Sequence, residues 1–466
     1  MPPTIQDHLF LDSDNQIPVY RQIHAWLREA IEAGSLPAGA RLPSTRALAQ
    51  QLGLARGTVA AAYALLNAEG YLEAHGQAGS RVAARRAGSG RSAPESGAAG
   101  PAPAAFQLGL PALDAFPRKV WGRLAARAAR ATQVGHMLMA PYAGMPALRS
   151  EIARYLRLAR GIDCAADQVF VTSGYGGSLQ LVARALLAPG QQVWTEDPGY
   201  PPTSALLRAA GLAPVPVAVD RDGLQVWKGL ALAPAARAAI VTPAHQYPLG
   251  AALSAERRHA LLQWAGGHDG WVVECDHDGE FRYAGRALPA LASWDKLGRV
   301  VYCGSFSKVL FPAIRLAYVV APPGLVAHFG RACAELSASC PALTQTIVSD
   351  FMREGHFVRH IRQMRKLYGE RRQWLADALA DVLGPDAPLA APAGGLHLAL
   401  PVQPGADQLL AARLHHHGMA PQALSGCYAG AAAQSGLLLG FTNIVSAAQA
   451  AQLGRLLAQL IGEWRR

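Results

Sequence analysis

Lysine is scarce in this chain. Of 43 lysines and arginines in 466 residues only five are lysines (Lys119, Lys228, Lys296, Lys308 and Lys366), which leaves 38 arginines. Long apolar runs are missing too: none approaches the roughly 20 residues a membrane-spanning helix needs, so no membrane partner is expected. The opening "MPPTIQDHLFLDSDNQ" is polar and acidic, unlike the basic start and apolar run of a signal peptide. Six cysteines are scattered without metal-ligand spacing, as expected of reduced thiols in a cytoplasm. No repeat of solenoid or propeller period occurs. With 51% hydrophobic and 16% charged residues the composition is that of a folded chain, and its length calls for two or more domains.

The formal net charge is +11. Such a balance suits an acidic partner, or simply a basic surface. Residues 1–95 hold nine arginines against eight acidic residues, so the excess lies mostly beyond them. Global charge therefore does not locate a nucleic-acid contact.

"AARRAGSGRSAPESGAAGPAPAA" (83–105) is small, Pro/Gly/Ser-rich and without apolar periodicity. It reads as a linker, over 84–105, between a unit at 1–83 and a larger one at 106–466. In the first unit Val19, Ile23, Leu27 and Ile31 recur at four-residue steps and Gly34 closes the helix. Ser44 is a helix N-cap and Gly53 a stop, and Val59, Tyr63 and Leu66 share a face of a third helix. "YLEAHGQAGSRVA" reads as two short strands around a turn. Three helices and a hairpin assemble as a winged helix-turn-helix, whose second motif helix enters the major groove by its N-terminus. That end is "ARGTV". Arg56 can bond guanine bidentately, Gly57 lets backbone approach, and Thr58 can reach phosphate or base. Arg46 is placed to grip the backbone, and His75 and Gly76 sit where a wing would touch the minor groove. The competing reading is a solvated helical hairpin that contacts protein.

In the second unit apolar strands alternate with Ala/Leu-rich helices ("QVFVTSG", "QQVWTEDPGY", "AAIVTPAHQYPLG", "GWVVECDHDGEF", "RVVYCGSFSK", "LAYVVAP"). The fold class is α/β with a mostly parallel sheet, and ligands in such sheets bind at strand ends. In "CGSFSKVLFPAIRLAYVV" Lys308 follows a strand and Arg315 interrupts an apolar run. Ser305 and Ser307 offer hydroxyls to a phosphate and Arg315 a bidentate clamp. "TSGYGGSLQL" leads through Gly174, Tyr175 and Gly176 into a helix whose free amides favour an anion. Each fragment alone is weak: a Gly-rich turn is usually just a turn.

Residues 16–83, with their "LPSTRALA", "RGTV" and "EGYLEA" blocks, resemble the winged-helix domain of the GntR regulators. Ala60 departs from that pattern, since a basic residue often follows "TV" there. From about residue 106 the chain resembles a fold type I aminotransferase, which implies a smaller C-terminal α+β subdomain. The two together resemble the MocR/GabR-type regulators, through "TSGYGGSLQL", "EDPGYP", "TPAHQYPLG", "ECDHDGEFRY", "GSFSKVLFPAIRLAYVV" and "EGHFVRHIRQMRKLY". The resemblance implies pyridoxal 5'-phosphate as cofactor. Lys308 would take its aldehyde, and Ser305, Ser307, Arg315 and Gly174 to Gly176 would hold its phosphate. Tyr200 would cover the ring and Tyr247 would lie beside the ring hydroxyl, although ordinary core packing also accounts for both tyrosines. It implies a homodimer as well.

Two departures stand out. Where the family reads "EDDYD" this chain reads "ECDHD" (274–278). Cys275 replaces the aspartate that keeps the pyridine nitrogen protonated, and His277 replaces the tyrosine partner of the phenolic oxygen. Asp276 would substitute only if the strand register slips by one. "SGLLLGFTNI" (435–444) also lacks the arginine that aminotransferases commonly use for the substrate carboxylate. The expected function is therefore a transcription regulator that binds a double-stranded DNA operator and senses a small-molecule effector, an amino compound or the cofactor itself. The alternatives are a regulator whose large domain has lost the cofactor, and a working aminotransferase with an accessory DNA-binding domain.

Overall fold

Apolar residues four apart turn Val19–Glu32 into helix α1, which buries Ile23 and Leu27 and packs Val19 and Ile31 at the edge of the same core. The computed structural model describes residues 17–74, 79–83, 102–283, 289–384, 393–430 and 433–464. The chain divides into two compact units, Met1–Gly100 and Pro101–Arg466. Residues 84–101 of the expected linker lie outside the described residues.

In the first unit α2 (Thr45–Leu52) starts where the Ser44 hydroxyl accepts a hydrogen bond from the Ala47 amide at 3.1 Å. It stops at Gly53, left-handed with φ 65°. Helix α3 (Arg56–Ala68) follows after a tight turn and buries Val59, Ala62, Tyr63 and Leu66. The Tyr63 hydroxyl donates to the Pro43 carbonyl at 2.9 Å, which ties α3 to the entry of α2. Strands β1 (Leu72–Ala74) and β2 (Ser80–Val82) pair antiparallel with Leu72 opposite Val82, and both side chains close the core. This is the winged helix-turn-helix arrangement expected from the sequence.

The second unit is built on one sheet of β3 (Val169–Thr172), β4 (Gln192–Asp197), β5 (Ala213–Asp220), β6 (Gly223–Leu224), β7 (Ala238–Val241), β8 (Trp271–Asp276), β9 (Val300–Ser305) and β10 (Ala317–Val320). Their order is β3-β10-β9-β8-β7-β4-β5-β6. Strands β5, β4, β7, β8 and β9 run parallel, while β10 is antiparallel to both its neighbours. Helices cover both faces. Gly174–Leu186 and Val326–Glu335 pack on one, and Pro146–Ala159, Ala342–Arg353 and His356–Leu383 on the other. Trp194 of β4 stacks on Trp264 at 4.1 Å between ring centroids.

Strand β5 carries Val215, Val217 and Val219 at alternate positions, but Pro214 and Pro216 argue against a strand. The structure accommodates them by parity. The Ala213 amide donates to the Gln191 carbonyl, so every second amide after it points at β4. Pro214 and Pro216 then face the outer edge, where β6 pairs only with Val219 and Asp220 and no donor is needed.

The C-terminal part carries β11 (His397–Pro401), β12 (Gln422–Ala423) and β13 (Gly436–Gly440) in the antiparallel order β11-β13-β12. Helix Asp407–His416 packs on this small sheet, and Ala447–Trp464 lies along His356–Leu383. The expected smaller α+β subdomain is therefore present. Among the described residues no helix is long and apolar enough to cross a membrane.

Candidate functional site

Strands β4, β7, β8 and β9 end at one edge of the large sheet, and the helix after β3 begins there. Because β10 runs the other way it starts at that edge, with Ala317 opposite both Ser305 of β9 and Thr172 of β3. Arg315, two residues earlier, is thereby set between the Ser173–Gly174 turn and the Ser305–Lys308 loop. A parallel β10 would have carried it to the far edge. Around this rim lies a cavity of about 570 Å³.

The rim brings together a guanidinium, two serines and a helix N-terminus. Arg315 is left-handed at φ 51°, an uncommon conformation for a side chain of this size. Its guanidinium lies over Gly174, where a Cβ would make ordinary contact with Cζ at 3.7 Å. Gly174, at φ 78°, opens the helix Gly174–Leu186, whose first amides have no partner within the helix. The Ser307 amide donates to Ser305 Oγ at 3.2 Å and keeps that hydroxyl at the rim. Ser305, Ser307, Arg315, Gly174, Tyr175 and Gly176 all line the cavity.

Lys308 reaches in from the same loop. Its Nζ donates to the Gly109 carbonyl at 2.8 Å. A Cβ on Gly109 would lie 2.4 Å from that nitrogen, and φ there is 75°, so only glycine fits. The other four lysines are exposed, whereas Lys308 is not. Burial pulls its pKa below the ordinary lysine value, against the attraction of the Asp278 carboxylate.

Three tyrosines meet above. Tyr200 caps the helix Pro201–Ala209, is 48% exposed, and sets its ring edge-on to Tyr175 at 5.8 Å and Tyr247 at 5.7 Å. The Tyr175 hydroxyl lies 2.8 Å from Thr203 Oγ1. Tyr247 donates to Gln422 Oε1 at 2.9 Å, a bond that crosses to the C-terminal subdomain. Two more bonds close that wall: the Gly199 amide to the Cys427 carbonyl at 2.9 Å and the Ala429 amide to Asp197 Oδ1 at 2.8 Å. Burial pushes the Tyr175 and Tyr247 hydroxyls far above the usual range, which keeps both protonated.

The end of β8 settles the register of "ECDHD". Cys275 pairs with Cys303 on β9, and both thiols are free and face the cavity side. Asp276 turns to the opposite face, where it binds Arg160, takes the Tyr302 hydroxyl at 2.7 Å and accepts the Gly279 amide at 3.1 Å. The one-residue slip that would have replaced Cys275 by Asp276 does not occur.

Beyond it lies a cluster that the sequence did not reveal. Asp278 sits 3.2 Å from His245 Nδ1 and 3.8 Å from His277 Nε2. Burial alone would raise its pKa, but the two imidazoles outweigh it and hold the carboxyl well below the usual range. His277 is lowered by burial, and His397, bonded to the Pro248 carbonyl at 2.9 Å, is lowered to about 4, first by burial and then by His245.

In the first unit Arg46, Arg56 and Gly57 are exposed and Thr58 is half-buried. Arg56 and Gly57 stand in the first turn of α3, with nothing within 4 Å of where a Gly57 Cβ would be. Arg41 and Arg81, bridged beside the hairpin and exposed, are further basic residues on this unit that sequence reasoning missed. His75 and Gly76 lie outside the described residues.

The lowered pKa of His397 has a pH signature. Between about 6.5 and about 4 the unfolded chain takes up a proton at this position and the folded chain does not, so stability present above 6.5 is lost as pH falls through that window. His397→Gln keeps an N–H donor for Pro248 and removes the titration. Denaturant midpoints measured against pH should fall less steeply in the variant between those limits; an unchanged slope would refute the assignment.

Residues 19–82 match the family described as bacterial regulatory proteins, gntR family, and residues 114–429 match aminotransferase class I and II. The chain is 39% identical over 385 residues to the probable rhizopine catabolism regulatory protein MocR of Rhizobium meliloti, covering 78% of each chain. It is 33% identical over 430 residues to the HTH-type pyridoxine biosynthesis transcriptional regulator PdxR of Corynebacterium glutamicum, covering 90% of this chain and 91% of that one. Its structure is similar to that of kynurenine aminotransferase of Pyrococcus horikoshii, solved in complex with PMP, at a TM-score of 0.70 and 25% identity over 78% of this chain and 91% of the other. A GntR helix-turn-helix unit followed by an aminotransferase domain, in a chain this close to MocR, places the protein in the family of MocR-type transcriptional regulators.

Proposed function

We propose that this regulator binds double-stranded operator DNA through α3 and responds to a small-molecule effector held with pyridoxal 5'-phosphate in the large unit. The observation that carries the reading is the meeting of Lys308, Arg315 and a free helix N-terminus on one rim, 570 Å³ of cavity beside them. That cradle fits the cofactor: Gly109 leaves room where a Cβ would crowd the lysine amine, and Gly174 holds the left-handed turn, φ 78°, that opens the helix. Arg315, Ser305, Ser307 and the Gly174–Gly176 amides would hold the phosphate, and Lys308 would take the aldehyde. Tyr200 would cover the ring, with Tyr247 and His277 toward its hydroxyl side. When bound, the cofactor supplies a carbonyl that condenses with amines and a ring that can draw electrons from the attached carbon.

That second capacity depends on a charge this chain does not offer. A carboxylate opposite the ring nitrogen favours its protonated form. Here Cys275 faces that side and Asp276 is tied to Arg160 behind the sheet. Lowered by burial, Lys308 has its amine unprotonated more readily than an exposed lysine, which suits holding an aldehyde. The arrangement favours capture of the cofactor over turnover, and so a sensor over a working aminotransferase. Retention of Lys308 and Arg315 favours it over a scaffold that has lost the cofactor.

A second copy of the chain is the proposed partner in solution. Val134, Met137, Leu138 and Met139 are each more than 70% exposed in one short stretch of the large unit, an apolar surface that a homodimer would cover. As a DNA-bound regulator the protein would act in the cytoplasm.

Two outcomes test the reading. Added pyridoxal phosphate should give a visible absorption band with the unsubstituted chain and none with Lys308→Ala; a band in both would remove Lys308 from the site. For the DNA side, Gly57 is an exposed helix residue that no contact in the structure requires. Gly57→Ala should therefore stabilise the unit by up to about 1 kcal/mol. The same change should weaken binding to duplex DNA selected from a random library by the parent chain. Stabilisation with undiminished binding would mean that α3 does not approach DNA at this residue.

A further inference from the structure

We infer that the effector taken up beside the cofactor is a primary amine with no carboxylate next to its nitrogen. This rests on the cofactor reading above and names the ligand class of that same site.

The cations that line the cavity among the described residues are Lys308, Arg315 and Arg208. The first two are committed to the aldehyde and the phosphate. Arg208 is exposed at the far end of the helix Pro201–Ala209. As an exposed cation it offers an acid group no more than a solvent-screened pair. His277 and His397 also line the cavity, and burial disfavours the charged form of both imidazoles.

The wall supplied by the C-terminal subdomain is uncharged. Leu396, Cys427 and Tyr428 face the cavity there, opposite Leu108 and Tyr247. Behind them β13 alternates: Leu437 and Leu439 turn into the main core, whereas Leu438, fully buried, turns toward Tyr247, Leu108 and Tyr428. The β13 side chain directed at the cavity wall is thus aliphatic. The Tyr247 hydroxyl already donates its hydrogen bond to Gln422, and burial raises the Cys427 thiol to about 11. The carboxylic acids on the lining, Glu196, Asp276 and Asp278, supply no positive charge to a further carboxylate, and the nearest cation to Asp276, Arg160, is already paired with it. An anion desolvated against this wall has no counter-charge. An amine with an apolar or hydroxylated tail avoids that penalty.

The test uses the full chain loaded with pyridoxal phosphate and follows its visible band. The matched ligands are 2-amino-1-propanol and L-alanine, which differ only in the group that replaces the carboxylate. Half-saturation by the amino alcohol should come at a concentration at least about tenfold lower. Equal or tighter response to L-alanine overturns the inference while leaving the cofactor in place. If a response to L-alanine disappears in Arg208→Ala, that arginine reads the carboxylate and the inference also falls. Failure of any band to form defeats the cofactor reading itself, and this inference with it. Leu438→Arg should narrow the gap between the two ligands. Because that site is fully buried the variant can misfold, and the comparison in the unsubstituted chain then decides alone.

Discussion

The reversal of one strand is the constraint on which this site depends. If β10 ran with its neighbours, Arg315 would leave the sheet at the edge opposite Lys308. Running against them, it sets a guanidinium, two serine loops and a helix N-terminus around one space. Two side-chain cations and a helix dipole on one rim repel each other until an anion lies between them. Asp278 relieves part of that repulsion at the lysine, and its own charge is shared with His245 and His277. In the proposed reading a phosphate answers the remainder.

The opposite end of the cavity is built for less chemistry. Alternation along β8 is strict, because Glu274 is fully buried by its bonds to the Leu291 and Ala292 amides and Asp276 by Arg160 and Tyr302, all on one face. That anchoring leaves Cys275 as the residue turned to the cavity. A fold that elsewhere serves amino transfer is here joined to a DNA-binding unit and stripped of the carboxylate that would support a carbanion. Retained binding groups together with altered reactive groups are what a sensor requires.

Much of this was legible in the chain because it was written locally. Lys308 stood out by the scarcity of lysine, Arg315 by its apolar setting, and six strands by their apolar runs ahead of polar loops. The three helices and hairpin of the first unit followed from spacing and caps at Ser44 and Gly53. What stayed hidden depends on long-range contact. Gly109 lies 199 residues from the lysine it accommodates, and a lone glycine carries no sign of that. The Asp278, His245 and His397 cluster joins three separate segments, and none of the three is unusual in its own. Strand β5 was masked by Pro214 and Pro216, whose outward parity appears only once β4 is beside it. The register at Cys275 and Asp276 was an open choice until neighbouring strands fixed it.

The central claim is that occupation of the cavity is felt at the DNA. Its most direct test is the affinity of the full chain for its selected duplex, measured at fixed salt with no addition, with pyridoxal phosphate, and with pyridoxal phosphate plus 2-amino-1-propanol. A ligand that biases a regulator must bind its states unequally, and linkage then obliges the DNA affinity to shift. The account requires at least one of the additions to change that affinity, and the change to vanish in Lys308→Ala. Identical affinities in all three states, with the visible band present, would contradict it.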